Sequence, residues 1–348
     1  MIKSILTLKQ KLYLVYFFSK NEHLYKEYKN KKKIFVCLGA DYGNLGDVAI
    51  TFSQINFLKN TFPNYEVIEF PISQTFKHMK SLEEIVNNDD IITIVGGGNT
   101  TEKYKDIEYC RQFIINKFRN NKIITFPQSV ELDDASEKFL KDMRKSYLKH
   151  KNLYYLVREK YSYETIRKFF PKMNVSLFPD IVFSYHHNLS PKKRKLITVS
   201  MRKDKEKYLS TSQEEKIITF LKKNNELTFK DTQILNENDF STENRKRLLN
   251  DLLNTYLESK IVITDRLHGM ILSYITNTPC IVLPCNNLKI KGCYEWIKNS
   301  SNVYYLEEFS IKKFIEIFDQ LTNKCDIIND QVNFMEFKKF LLAIADKN

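Results

Sequence analysis

Glycine is scarce in this chain, with eight among 348 residues, where soluble proteins average about 7%. Proline is equally sparse at eight and tryptophan occurs once, which excludes collagen-like and Gly/Pro-rich low-complexity architectures. The six cysteines, Cys37, Cys110, Cys280, Cys285, Cys293 and Cys325, form no Cys-x-x-Cys pair. A zinc ribbon is thereby excluded, and free thiols buried in apolar runs, kept reduced in a cytoplasm, are the expectation. Long apolar runs are missing too. The longest, LYLVYFF (12–18), falls far short of the roughly 20 residues a membrane span needs, and no small-residue cleavage site follows to make it a signal peptide.

Acidic charge is in deficit, and the deficit is local. The net charge is +13, of which residues 1–33 supply +7 through nine lysines against Glu22 and Glu27. The remaining +6 is spread thinly, and no strand interleaves basic with aromatic side chains, so no nucleic-acid module is expected. Lysines around LYLVYFF fit a peripheral contact with an anionic leaflet. A helix packed on the protein's own surface fits them equally.

What the chain does have is concentrated glycine. Gly39, Gly43 and Gly46 follow the apolar run IFVCL (34–38); Gly96, Gly97 and Gly98 follow IITIV (91–95); Gly269 closes DRLHG, behind KIVIT (260–264). Strand, glycine loop and helix in succession are how open α/β sheets build ligand sites at the carboxyl ends of their strands. Further strands are expected at 66–70, 122–126 and 153–157, with helices at 48–62, 104–119 and 134–148, and SLFPDIVFSY (176–185) closes this half. The charged stretch HHNLSPKKRK (186–195) reads as a boundary. Beyond it, strands at 196–201, near 228–235, at 261–264 and at 280–284 alternate with helices at 212–224, 243–258, 269–276 and 310–321. This alternation predicts an α/β protein with parallel sheets. The expected divisions are a basic amino-terminal segment (1–33), two α/β domains (34–188 and 189–309) and a helical tail (310–348) that returns to the first half.

GADYGNLGDVAI (39–50), IVGGGN (94–99), FPQS (126–129), VREKYSYE (157–164), FPDIVF (178–183), SMRKD (200–204) and DRLHGMILSYITNTPCIVLP (265–284) occur in this order. The ordered set resembles the polysaccharide pyruvyl transferases over about residues 35–300, and NNLKIKGCYEW (286–296) resembles a segment that often follows. The resemblance implies two Rossmann-like domains in a GT-B-like arrangement with a cleft between them. It also implies transfer of pyruvate from phosphoenolpyruvate to two hydroxyls of a sugar, in a bacterial cell-surface polysaccharide, exopolysaccharide or lipid-linked precursor, with ketal formation and phosphate release.

The residues suit such chemistry. A donor with a carboxylate and a phosphate on three carbons calls for guanidinium forks, and Arg202 and Arg266 each follow a strand of the second half. By similarity to the family's donor site both bind phosphoenolpyruvate, with His268 and Gly269 at the helix start. Arg266 and His268 are the catalytic candidates, and His268 serves in acid/base work or in phosphate binding. Asp265 is expected to orient Arg266 or His268. On the acceptor side the candidates are Asn44, Asp47, Gly97, Gly98, Asn99 and Gln128, with Ser129 beside them. Asp47 caps a helix or meets a sugar hydroxyl, and the glycines serve the acceptor or tight packing. Arg158 and Ser162 match a family position, and a structural salt bridge explains Arg158 as well. No cofactor beyond the co-substrate and no metal is expected. The rival readings are a glycosyltransferase using a nucleotide-sugar donor and a non-catalytic scaffold for acidic glycans.

Overall fold

A computed structural model describes residues 6–190, 192–204, 207–223, 225–234, 237–286, 288–323 and 331–347. The chain divides into two compact units. The first comprises residues 1–41, 50–181 and 334–348, and the second comprises 42–49 and 182–333.

The first unit holds a seven-stranded sheet. Its strands are β1 (Lys33–Gly39), β2 (Glu66–Pro71), β3 (Ile91–Ile94), β4 (Gly97–Thr101), β5 (Lys122–Glu131), β6 (Leu153–Val157) and β7 (Asn174–Leu177). The order is β2-β1-β3-β5-β6-β7 with β4 also on β5, and every pairing is parallel. All seven residues of β1 are buried, as a central parallel strand covered on both faces requires. The helices are α1 (Leu8–Phe18), α2 (Leu45–Thr61), α3 (Met79–Ile85), α4 (Lys105–Lys117), α5 (Glu137–Tyr147) and α6 (Lys160–Phe169). The chain order reverses between β1 and β3, so the loops after these strands stand at the switch point where open α/β sheets place ligands.

The second unit has a five-stranded parallel sheet of β8 (Leu196–Ser200), β9 (Leu227–Phe229), β10 (Ser259–Thr264), β11 (Cys280–Val282) and β12 (Val303–Tyr305). Its order is β12-β11-β10-β8-β9, which puts the switch point between β8 and β10. Among the described residues its helices are α7 (Thr211–Lys222), α8 (Thr242–Leu257), α9 (Leu267–Ile275), α10 (Leu288–Tyr294) and α11 (Ile311–Thr322). The last helix, α12 (Met335–Ala345), returns to the first unit. There Phe337 stacks 4.6 Å from Phe178 and lies 5.3 Å from both Phe57 and Phe126.

Several expectations change. The strand near 228–235 is confined to 227–229, and residues 181–184 in the closing stretch of the first half form a 3-10 turn. Strands β4, β7 and β12 and helices α3, α6 and α10 are additional. The described cysteines are free, four of them buried and Cys285 half-buried; Cys325 lies outside the described residues. Among the described residues no helix is long and apolar enough to cross a membrane.

Candidate active site

In the second unit the two arginines come together at the switch point. Arg202 follows β8 and Arg266 follows β10, and they are 7% exposed each. Thr264 ties the strand ends: its hydroxyl donates to the Ser200 carbonyl at 2.7 Å and accepts the Arg266 N–H at 3.0 Å. Arg266 stands at the N-cap of α9. Gly269 lies in the first turn, and a methyl group there would overlap the Thr264 side chain. Glycine at 269 thus lets the helix start this close to β10.

The guanidinium of Arg266 is held by two carboxylates. Nε and Nη2 donate to Asp231 at 3.0 and 2.8 Å, and Nη1 donates to Asp204 at 2.7 Å. Asp204 also pairs with Arg202 Nε at 3.2 Å, so a single carboxylate bridges both cations. Such bidentate pairing fixes a guanidinium in plane as well as in position. Asp265 is buried at 3% exposure and accepts the Arg202 N–H at 2.8 Å. Burial pushes its carboxyl up to about 6, against the pull of the Arg202 N–H and of the Arg202 and Arg266 charges. Asp265 therefore orients Arg202 through its backbone, where the sequence pointed to Arg266 or His268.

The first glycine loop belongs to this same unit. Residues 42–49 group with 182–333, although the sequence assigned Asn44 and Asp47 to the first domain. The loop pairs with the segment after β9: Leu45 N–H donates to the Thr232 carbonyl at 2.8 Å, and Ile234 N–H donates to the Gly43 carbonyl at 2.9 Å. A Cβ at Gly43 would collide with the Ile234 carbonyl, and one at Gly46 would overlap the His268 imidazole. Asn44 is the residue that caps α2, its Oδ1 accepting Gly46 N–H at 3.0 Å. Asp47 instead accepts from Asn44 Nδ2 and from the Tyr42 hydroxyl, both at 2.9 Å. The capping role considered for Asp47 thus passes to Asn44. His268 is half-buried, as are Asn44 and Asp47.

The other acceptor candidates lie in the first unit. Gly97 has a φ of 133°, a conformation open to glycine alone among common residues. Gly98 and Asn99 are half-buried beside it. Gln128 corrects the sequence reading. It is fully buried, its amide donates to the Val95 and Phe126 carbonyls at 2.7 and 3.1 Å, and its oxygen accepts from Arg111 at 3.4 Å. With its polar atoms spent on β5, the segment after β3 and Arg111 of α4, this side chain clamps the sheet edge. Asn99 Oδ1 accepts from the same Arg111, whose charge is balanced by the buried Glu108. Arg158 likewise forms a buried ion pair, 2.6 Å from Asp180, and donates to Ser129 at 2.7 Å. Ser162 accepts the Val130 N–H at 2.6 Å and donates to Glu159.

Sequence reasoning missed Asp204, Asp231 and Thr264 as parts of the site. Asp204 sits in SMRKD, the motif that gave Arg202, and Thr264 directly precedes DRLHG, whereas Asp231 lay far from every motif. Among the described residues no group of three or more His, Cys, Asp or Glu could hold a metal ion.

Comparison with known proteins agrees with this architecture. The family described as Polysaccharide pyruvyl transferase matches residues 44–287. General stress protein 30 of Bacillus subtilis (strain 168) is 30% identical over 315 residues, covering 88% of this chain and 92% of that protein. Pyruvyl transferase 1 of Schizosaccharomyces pombe is 27% identical over 299 residues, covering 81% of this chain and 71% of that protein. A crystal structure of a functionally uncharacterised protein from Klebsiella pneumoniae shares the fold, with a TM-score of 0.55 and 21% identity over 87% of this chain and 99% of that one. With the family match spanning most of its length, this chain of two Rossmann-like α/β domains belongs to the polysaccharide pyruvyl transferases.

Proposed function

We propose that the chain transfers pyruvate from phosphoenolpyruvate to two hydroxyls of one sugar in a polysaccharide or its lipid-linked precursor, forming a ketal. The observation that carries this reading is the pair of guanidiniums just beyond the ends of β8 and β10, with His268 in the first turn of α9. Arg202 and Arg266 supply two positive charges for the donor's carboxylate and phosphate. The amino end of α9 adds partial positive charge. The donor's C3 methylene gains a proton, two sugar oxygens bond to C2 as their protons leave, and the C2–O bond to phosphorus breaks to release phosphate. His268 is the group for one of the proton transfers or for the departing phosphate. In this reading no resident metal is involved, because the arginines meet the anions, and a chelator is expected to leave the rate unchanged.

Phosphate release from phosphoenolpyruvate, measured against a panel of lipid-linked saccharides, tests the reading. Arg266→Lys is the better arginine variant, because alanine would take from Asp231 the guanidinium that pairs with it bidentately. Arg266→Lys and His268→Gln are each expected to lower acceptor-dependent release by roughly a hundredfold, with the melting temperature nearly unchanged. Phosphoenolpyruvate is expected to raise the wild-type melting temperature. A shift with nucleotide sugars instead, or full activity of His268→Gln, would overturn the assignment.

A further inference from the structure

Helix α1 has two apolar faces, and the first unit uses one. Lys9, Leu12, Tyr13 and Tyr16 fall at i, i+3, i+4 and i+7, the spacing of one helical face. Leu12 and Tyr16 pack on the core, and the Tyr13 and Tyr16 rings lie 5.2 and 5.1 Å from Phe113. No residue of the helix is fully buried. The opposite face carries Leu14, Val15, Phe17 and Phe18, with the two phenylalanines 69% and 74% exposed.

Beside this helix lies a cavity of about 360 Å³ whose lining includes Lys9, Arg119, Lys145 and Lys149. Asp142 is the one carboxylate among the described lining residues, and it is engaged by Lys9 at 2.9 Å. Tyr13 also lines the cavity, and Phe17 follows it by one turn. The cationic cavity and the outer apolar face therefore meet along one edge of the helix. Leu148, 46% exposed, sits in sequence between Lys145 and Lys149.

We propose that this surface docks on a bilayer rich in anionic phospholipid. Phe17 and Phe18 enter the boundary between headgroups and acyl chains, and Arg119, Lys145 and Lys149 meet the lipid phosphates. Charge selects this occupant over a second copy of the chain. An isologous contact would bring two such lysine-rich segments face to face, whereas an anionic surface complements them. The sequence left open a helix packed on its own protein or one lying on a membrane, and α1 is arranged for both, one on each face. The proposal needs nothing from the donor chemistry and fails or stands separately from it.

Cosedimentation of the full-length protein with vesicles tests it, using phosphatidylcholine alone and phosphatidylcholine mixed equally with phosphatidylglycerol. Binding is expected to the mixed vesicles only and to weaken with salt. F17S/F18S and K145E/K149E should each reduce the bound fraction by about tenfold or more, with melting curves like the wild type. Equal binding by wild type and variants, or equal binding to both vesicles, would overturn the proposal. So would a dimer on size exclusion that F17S/F18S dissolves while vesicle binding is absent, since the face would then belong to a second copy.

Discussion

Gly46 and His268 come from opposite ends of the family match, yet a single methyl group at position 46 would intrude on the imidazole. The glycine is the second residue of α2, and its φ is not in the left-handed region. Alanine is therefore permitted by the backbone, and it is the better helix former by about 0.5–1 kcal/mol. Gly46→Ala is expected to leave the melting temperature within a few degrees of wild type and to cost at least about tenfold in phosphate release, by moving the ring out of place. Unchanged activity would separate the position of His268 from the reaction. At this scale the sequence shows where a side chain is forbidden, because a scarce glycine placed after an apolar run marks a spot with no room for a Cβ. It does not show what the forbidden side chain would hit. Asp231, the bidentate partner of Arg266, sits in an unremarkable polar stretch, and Gln128, which the apolar run 122–126 puts at a strand end, lies inside the longer β5. Both roles follow from which way the side chain points, and tertiary packing sets that.

The elements were legible wherever an apolar run of four or more residues met a turn signal. β1, β3, β5, β6 and β10 were all readable for that reason, since buried parallel strands are continuously apolar. The short strands were not: β12 has three residues, and β4 is the sequence GGNTT, which carries no strand preference of its own and exists because β5 offers it an edge. The tail is the instructive element. Of the expected tail at 310–348, only residues 334–348 return to the first unit, while 310–333, with α11, belong to the second; the anchor, Phe337, was not legible. Phe337 is fully buried among Phe57, Phe126 and Phe178, and Lys122 Nζ donates to the Ala345 carbonyl at 2.7 Å. Phe337→Ala is expected to destabilise the first unit by about 3–5 kcal/mol, seen as a large drop in the denaturant midpoint. The exposed Met335→Ala, on the same helix, is expected to change little. Equal behaviour of the two variants would mean that α12 contributes no anchorage.

Across the whole molecule the chain passes from one unit to the other at 41/42, 49/50, 181/182 and 333/334, so neither unit is a contiguous fragment. Each also contains a buried carboxyl whose burial raises its pKa, Glu159 to about 7 in the first and Asp265 to about 6 in the second. Ser129 donates to Glu159 at 3.2 Å and Ser162 also donates to it, and with Arg158 they oppose the rise without cancelling it. In the unfolded chain a glutamate releases its proton near 4.5. Between that pH and about 7 the folded protein holds the extra proton. Stability from this group is then fully present below 4.5 and is lost as pH rises through 7. The interval corresponds to about 3 kcal/mol once ionisation is complete, and Asp265 acts with the same sign over a lower window. The wild type is therefore expected to lose melting temperature between pH 5 and pH 8 by several degrees more than Glu159→Gln. The amide keeps the shape and can hydrogen-bond to both serines but does not titrate. Parallel pH profiles of the two proteins would show that Glu159 ionises alike in the folded and unfolded chains, and that the charge of Arg158 reaches it strongly enough to offset burial.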